Sequence, residues 1–64
     1  MMSDPEPLLY SPEQAAAMLG IGRSYLFELI ARGEIESFKI GQLRKIPADA
    51  ITAYVERKRA AALA

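Results

Sequence analysis

The chain has 64 residues, 52% of them apolar, and its eight basic and eight acidic side chains give a formal net charge of zero. That length holds one domain with one small core. With no cysteine and no histidine, disulfide staples, zinc fingers and imidazole metal sites are excluded, so apolar packing alone must stabilise the fold and no cofactor is expected.

Met1 to Pro7 carries two prolines and two acids and reads as a flexible leader, with the domain expected over residues 8–62. This start is acidic where a signal peptide is basic and then apolar, and no apolar run approaches the roughly 20 residues that span a bilayer. The expectation is therefore a soluble cytoplasmic protein with no membrane partner.

Ser11, then Pro12, then Gln14 form a helix-start signature, in which serine caps, proline presets the first turn and glutamine reaches back. The spacing predicts a first helix over Pro12–Leu19 with Ala15, Met18 and Leu19 on its inner face, ended by Gly20 in the left-handed conformation. Only Gly20, Ile21 and Gly22 separate it from a second helix over Arg23–Arg32, with Leu26, Leu29 and Ile30 inward and Gly33 ending it as Gly20 ends the first. Two helices so joined must cross at a large angle, with Ile21 as the apolar plug of the turn, and that is a helix-turn-helix.

After Gly33 the period changes. Phe38 and Ile40 alternate with Lys39, Gly41 and Gln42 turn the chain, and Leu43 to Ile46 return, which predicts a two-stranded hairpin between Ile35 and Ile46. So small a hairpin requires its apolar face to pack on the helices. The pattern leaves open whether Arg44 or Lys45 points outward. Pro47 stops the strand, and a third helix follows from about Ala48 to Ala62, with Asp49 at its positive end and Ile51, Tyr54 and Val55 as its buried stripe. The fold class is α+β, mostly helical: a winged helix-turn-helix of three helices and a two-stranded β-hairpin wing.

Neutral net charge argues against nucleic-acid binding, but the distribution does not. Asp4, Glu6 and Glu13 lie in the leader and at the start of the first helix, whereas Ile21 to Arg59 holds eight basic residues against five acidic ones, so the expected partner is duplex DNA bound in a salt-sensitive way. A helix about ten residues long fits the major groove with its N-terminal residues at the base edges. Arg23 leads the candidates, because a cation at a helix start opposes the macrodipole and an unforced surface rarely places one there. Ser24 can reach a phosphate or a base. Tyr25 and Phe27 suit a thymine methyl or a sugar, and equally suit the rim of the core. Glu28 can accept from a cytosine amine or pair with Arg32. Lys39, Gln42, Arg44 and Lys45 lie on or near the wing as phosphate or minor-groove contacts, with ordinary strand-surface charge as the plainer reading. Arg57, Lys58 and Arg59 read first as a solvated helix end. No glycine-rich phosphate loop follows a strand, and no nucleophile–base pair is available, so catalysis is not expected.

The run from Leu9 to Glu56 resembles the excisionase-type helix-turn-helix domains, relatives of the DNA-binding domain of the mercury-resistance regulators. Ala16, Leu19-Gly20, Arg23-Ser24, Ile30, Gly33-Glu34, Gly41 and Ile46-Pro47 carry the resemblance. It implies DNA binding through the second helix and the wing. In the recombination directionality factors of phages and plasmids it also implies bending of attachment-site DNA, side-by-side binding of neighbouring protomers and assistance to an integrase; other members are small transcription regulators. Two positions depart from the pattern: Gly22 replaces the usual Ser or Thr cap of the second helix, and Gln42-Leu43 replaces an arginine-rich wing tip. The chain also stops before the dimerisation helix with which the regulator branch continues, which leans the expectation toward the excisionase role. An alternative outside DNA binding is a protein-interaction module on the same fold, favoured by the neutral charge and by Tyr25 and Phe27.

Overall fold

A computed structural model describes residues 8–63; the expected leader lies outside them. The element order is β1 (Leu9–Tyr10), α1 (Pro12–Leu19), α2 (Arg23–Ala31), β2 (Phe38–Ile40), β3 (Leu43–Pro47) and α3 (Ala48–Leu63). Three helices and a small antiparallel sheet make the mostly helical α+β winged helix-turn-helix that the sequence predicts.

Local chemistry sets each boundary. The Ser11 hydroxyl accepts from the Gln14 backbone N–H at 3.1 Å, and Gln14 Oε1 accepts from the Ser11 N–H at 2.8 Å, so the capping box closes as expected and Pro12 occupies the first turn. Both α1 and α2 end in a Schellman pattern. After α1, Gly20 (φ 71°) donates to the Ala17 carbonyl and Ile21 to that of Ala16. After α2, Gly33 (φ 79°) donates to Ile30 and Glu34 to Leu29. The left-handed residue in each permits the paired bonds that satisfy the last carbonyls, and glycine adopts it without the Cβ clash.

The sheet differs from the expected two-stranded hairpin. Its order is β1-β3-β2, both pairings antiparallel. Leu9 pairs with Pro47 and Tyr10 with Ile46, and the Leu8 carbonyl accepts from the Ala48 N–H at 2.9 Å. Pro47 thus closes β3 instead of lying beyond it. A two-residue strand is too short to show alternation, which is why the pattern does not reveal it; its effect is to hold the base of the wing from the side opposite β2.

Ala15, Ala16, Leu26, Leu29, Ile35, Ile46, Ala50 and Ile51 form the core, with Tyr10, Leu19, Ile21, Ile30 and Tyr54 packed against it. Three expectations about inward faces are corrected. Met18 is 55% exposed and Ala16 is buried in its place, so the inner face of α1 is made of the small side chains Ala15 and Ala16. In α3, Val55 is exposed and Ala50 is buried, since only the first turns of that helix lie over β3. Phe38 and Ile40 are also exposed, so the apolar face of the hairpin does not pack on the helices. Ile35, ahead of the hairpin, and Ile46, within it, do the anchoring instead, at 1% and 0% exposure. Among the described residues no polar or charged side chain is buried.

Candidate nucleic-acid interface

α2 buries Leu26 and Leu29 and half-buries Ile30. Helical spacing then places Ser24 and Glu28 on the face turned away from the core, with Arg23 and Phe27 on one flank and Tyr25 on the other. Tyr25 is 44% exposed and Phe27 is half-buried. No side chain caps α2, whose N-cap is Gly22, so its first-turn amides keep their donors available at the positive end of the helix.

Arg23 is held from two directions. Its Nε donates to Glu13 Oε2 at 2.7 Å, across the turn from α1, and its guanidinium carbon lies 4.8 Å from the centroid of the Phe27 ring, within cation–π range. The Glu13 carboxyl lies below the usual carboxylate range, chiefly through the hydrogen bond from Arg23 and next through a backbone hydrogen bond at Glu13 itself. The sequence shows Glu13 only as an acid suited to a helix start. Its partner lies ten residues away, a separation that no helical period reveals and that only the crossing of α1 and α2 brings together.

Glu28 accepts from Arg32 Nη2 at 3.3 Å, the i,i+4 pair that helical spacing allows. Arg32 Nη1 also lies 3.6 Å from Glu34, whose other oxygen is 3.2 Å from Lys58 Nζ. The Arg57 guanidinium donates to the Glu34 carbonyl. Two of the three cations in the run 57–59 are therefore engaged in tying the end of α2 to α3. The Glu34 carboxyl is lowered mainly by the Lys58 hydrogen bond and further by Arg32, against a desolvation that raises it.

The register of the wing answers which of Arg44 and Lys45 points outward. Phe38 pairs with Lys45, Lys39 with Arg44 and Ile40 with Leu43, and residues directly opposite one another share a face. Arg44 and Lys39 therefore lie on the face of buried Ile46, and Lys45 lies on the other with Phe38, Ile40 and Leu43. Arg44 is half-buried, with its Nη1 donating to the Ser37 hydroxyl at 2.7 Å. Lys39 and Gln42 are exposed, and Lys45, like Arg44, is half-buried. Gly41, at φ 63°, makes the turn. From Ser37 to Pro47 the chain carries three cations and no acid, and among the described residues no carboxylate pairs with Lys39 or Lys45.

Elsewhere, a shallow groove of ≈ 320 Å³ lies between the loop after α2 and α3, lined by Gly33, Glu34, Glu36, Ala50, Ala53 and Arg57. It offers carboxylates and a guanidinium but no hydroxyl or thiol nucleophile. Among the described residues, no cluster of carboxylates could hold a metal, and no helix is long and apolar enough to cross a membrane.

Two helices joined by a three-residue turn and followed by a cationic hairpin define a winged helix-turn-helix domain. Residues 9–59 match the helix-turn-helix domain family, and the chain belongs to that family. It is 49% identical over 53 residues to a probable excisionase of Saccharopolyspora erythraea, a match covering 83% of this chain and 54% of the relative. Uncharacterized proteins of Mycobacterium tuberculosis and Mycobacterium bovis are 33% identical over 55 residues, covering 86% of this chain and 48% of each relative. The chain spans about half the length of the curated relatives it matches. No solved structure matches it.

Proposed function

We propose that this domain binds duplex DNA sequence-specifically, without catalysis, and bends it as an accessory factor in integrase-mediated excision of an integrated element. The observation that carries the reading is the pairing of an exposed, organised arginine at the start of α2 with a hairpin whose charges are all positive. Arg23, Ser24, Tyr25, Phe27 and Glu28 are the major-groove set. Lys39, Gln42, Arg44 and Lys45 are the wing set, with Lys39 and Lys45 free to reach phosphate and Arg44 holding the wing to the Ser37 segment as well as adding charge. The name of the relative from Saccharopolyspora erythraea supports the excision role, and a small transcription regulator is the neighbouring alternative. The setting for this activity is the cytoplasm, on the nucleoid.

A titration of duplex DNA at several salt concentrations tests the reading. Binding should weaken linearly on a log–log plot against salt; no binding at low salt, or binding with no salt slope, overturns it. The second reading, a protein-interaction module, rests on the exposure of Phe38 (42%), Ile40 (52%) and Leu43 (63%), and the absence of binding at low salt would favour it. Within the DNA reading this apolar wing face suits a neighbouring protomer, so binding to DNA with several sites should be cooperative, and a non-cooperative isotherm would refute the side-by-side arrangement.

A further inference from the structure

Arg23 could have been left as a loose surface cation, and the structure does something more specific with it. Of its donors only Nε is engaged, at 2.7 Å from Glu13 Oε2. Among the described residues, nothing bonds to Nη1 or Nη2. The guanidinium carbon also lies over the Phe27 ring, 4.8 Å from its centroid. A guanidinium held at Nε and over the ring keeps its two terminal amino groups as an oriented fork. That fork matches the N7 and O6 acceptors that guanine alone presents side by side in the major groove.

The carboxylate has a second consequence. It sets a negative charge against the very cation that an isolated phosphate would attract, at a point where the first-turn amides of α2 would otherwise favour any anion. Discrimination is a difference of affinities, and a neighbouring charge that weakens the wrong contact widens it. Glu13 is 62% exposed, as is Arg23, so no packing requirement explains a carboxylate there.

Resting on the duplex-DNA reading above, we propose that Glu13 is a positioning and specificity residue, which presents the terminal amino groups of Arg23 to one guanine while weakening binding to phosphate alone. The pair makes one guanine of the target site a fixed requirement, and Glu13 lowers affinity for non-specific duplex. Neither effect needs Glu13 to touch DNA.

The experiment selects sites from a randomised duplex library with the wild-type chain. It then measures affinity for the selected duplex, for the same duplex carrying 7-deazaguanine at each guanine in turn, and for an unrelated duplex. In the wild type one 7-deaza substitution, which removes the N7 acceptor and leaves O6, should cost about two- to tenfold, the loss of one hydrogen bond of the pair. Glu13→Ala should lose that dependence and bind the unrelated duplex more tightly. Glu13→Gln, whose amide oxygen still accepts from Nε, should keep the guanine dependence and show the same gain on the unrelated duplex. Two results overturn the proposal: Glu13→Ala retaining the guanine dependence, or Glu13→Ala weakening both duplexes equally with a lowered melting temperature, which would mark Glu13 as merely structural. A wild type that binds no duplex at low salt fails the DNA reading itself, whereas a wild type that binds but shows no 7-deaza effect fails only this inference.

Discussion

The start of α2 and the wing are both cationic, yet they hold their charges in opposite ways. Arg23 is paired with Glu13 and lies over the Phe27 ring, so it is ordered before any DNA arrives, and the proposed base contact would cost it less freedom. Lys39 and Lys45 have no carboxylate partner among the described residues and stand on opposite faces of a three-residue strand pairing. Unpaired cations on flexible stems suit phosphate, which can be met over a range of geometries, and such contacts supply affinity in place of discrimination. The contrast explains how a chain of zero net charge can serve DNA: Glu13 pairs with Arg23, Glu28 and Glu34 pair along the α2–α3 seam, and the hairpin from Ser37 to Pro47 holds no acid.

The largest effect that separates these regions should come from inside the wing. Ile46 is fully buried and shares a strand with Arg44 and Lys45, so Ile46→Ala should cost about 2–5 kcal/mol. That is much of the reserve expected of so small a domain, and a urea or thermal melt would read it directly. Phe38→Ala, on the outer face of the same hairpin, should shift the melt far less. Equal losses from the two would show that the outer face is packed after all.

Next in size is Arg23, the proposed base contact. Arg23→Ala should flatten the preference between the selected and unrelated duplexes by about 1–3 kcal/mol, with little change in melting temperature. Lys39→Ala should act differently. It should weaken every duplex by a similar factor and lower the salt slope by about one phosphate contact, leaving preference intact. Slopes from anisotropy titrations of both variants test the contrast, and it breaks if Lys39→Ala changes preference or Arg23→Ala only the slope.

Most of this architecture is legible in the sequence because the turn chemistry is local. Ser11-Pro12 with Gln14, the two Schellman glycines and the Gly41 turn each fix an element within a few residues, and the boundaries of α1 and the wing follow. What is not legible depends on contacts made at a distance. Alternation correctly marks Phe38, Lys39 and Ile40 as a strand, but it cannot show which face meets the helices; that choice was made by Ile46 and by β1, which is too short to be seen. The candidates on α2 are readable from helical spacing, whereas the role of Glu13 depends on the crossing of two helices, and the Ser37–Arg44 bond on the register of the hairpin.

The smallest effect lies away from both cationic regions and tests whether they are mechanically separate from the seam behind them. Glu34 joins Arg32 at the end of α2 to Lys58 on α3, and its carboxyl is held below the usual range chiefly by Lys58. A carboxyl depressed in the folded state binds protons more readily in the unfolded chain. Its contribution to stability is therefore complete above the ordinary carboxylate pKa and lost as pH falls through the lowered folded value. Melts of the wild type and Glu34→Gln should differ slightly near neutral pH and converge on acidification, and raised salt should shrink the difference because Arg32 and Lys58 are exposed and Glu34 partly so. DNA preference at neutral pH should be the same for both, since Glu34 touches neither Arg23 nor the wing. A Glu34→Gln chain with altered preference would mean that the seam sets the orientation of α2, and the two cationic regions would then be coupled through α3 instead of acting independently.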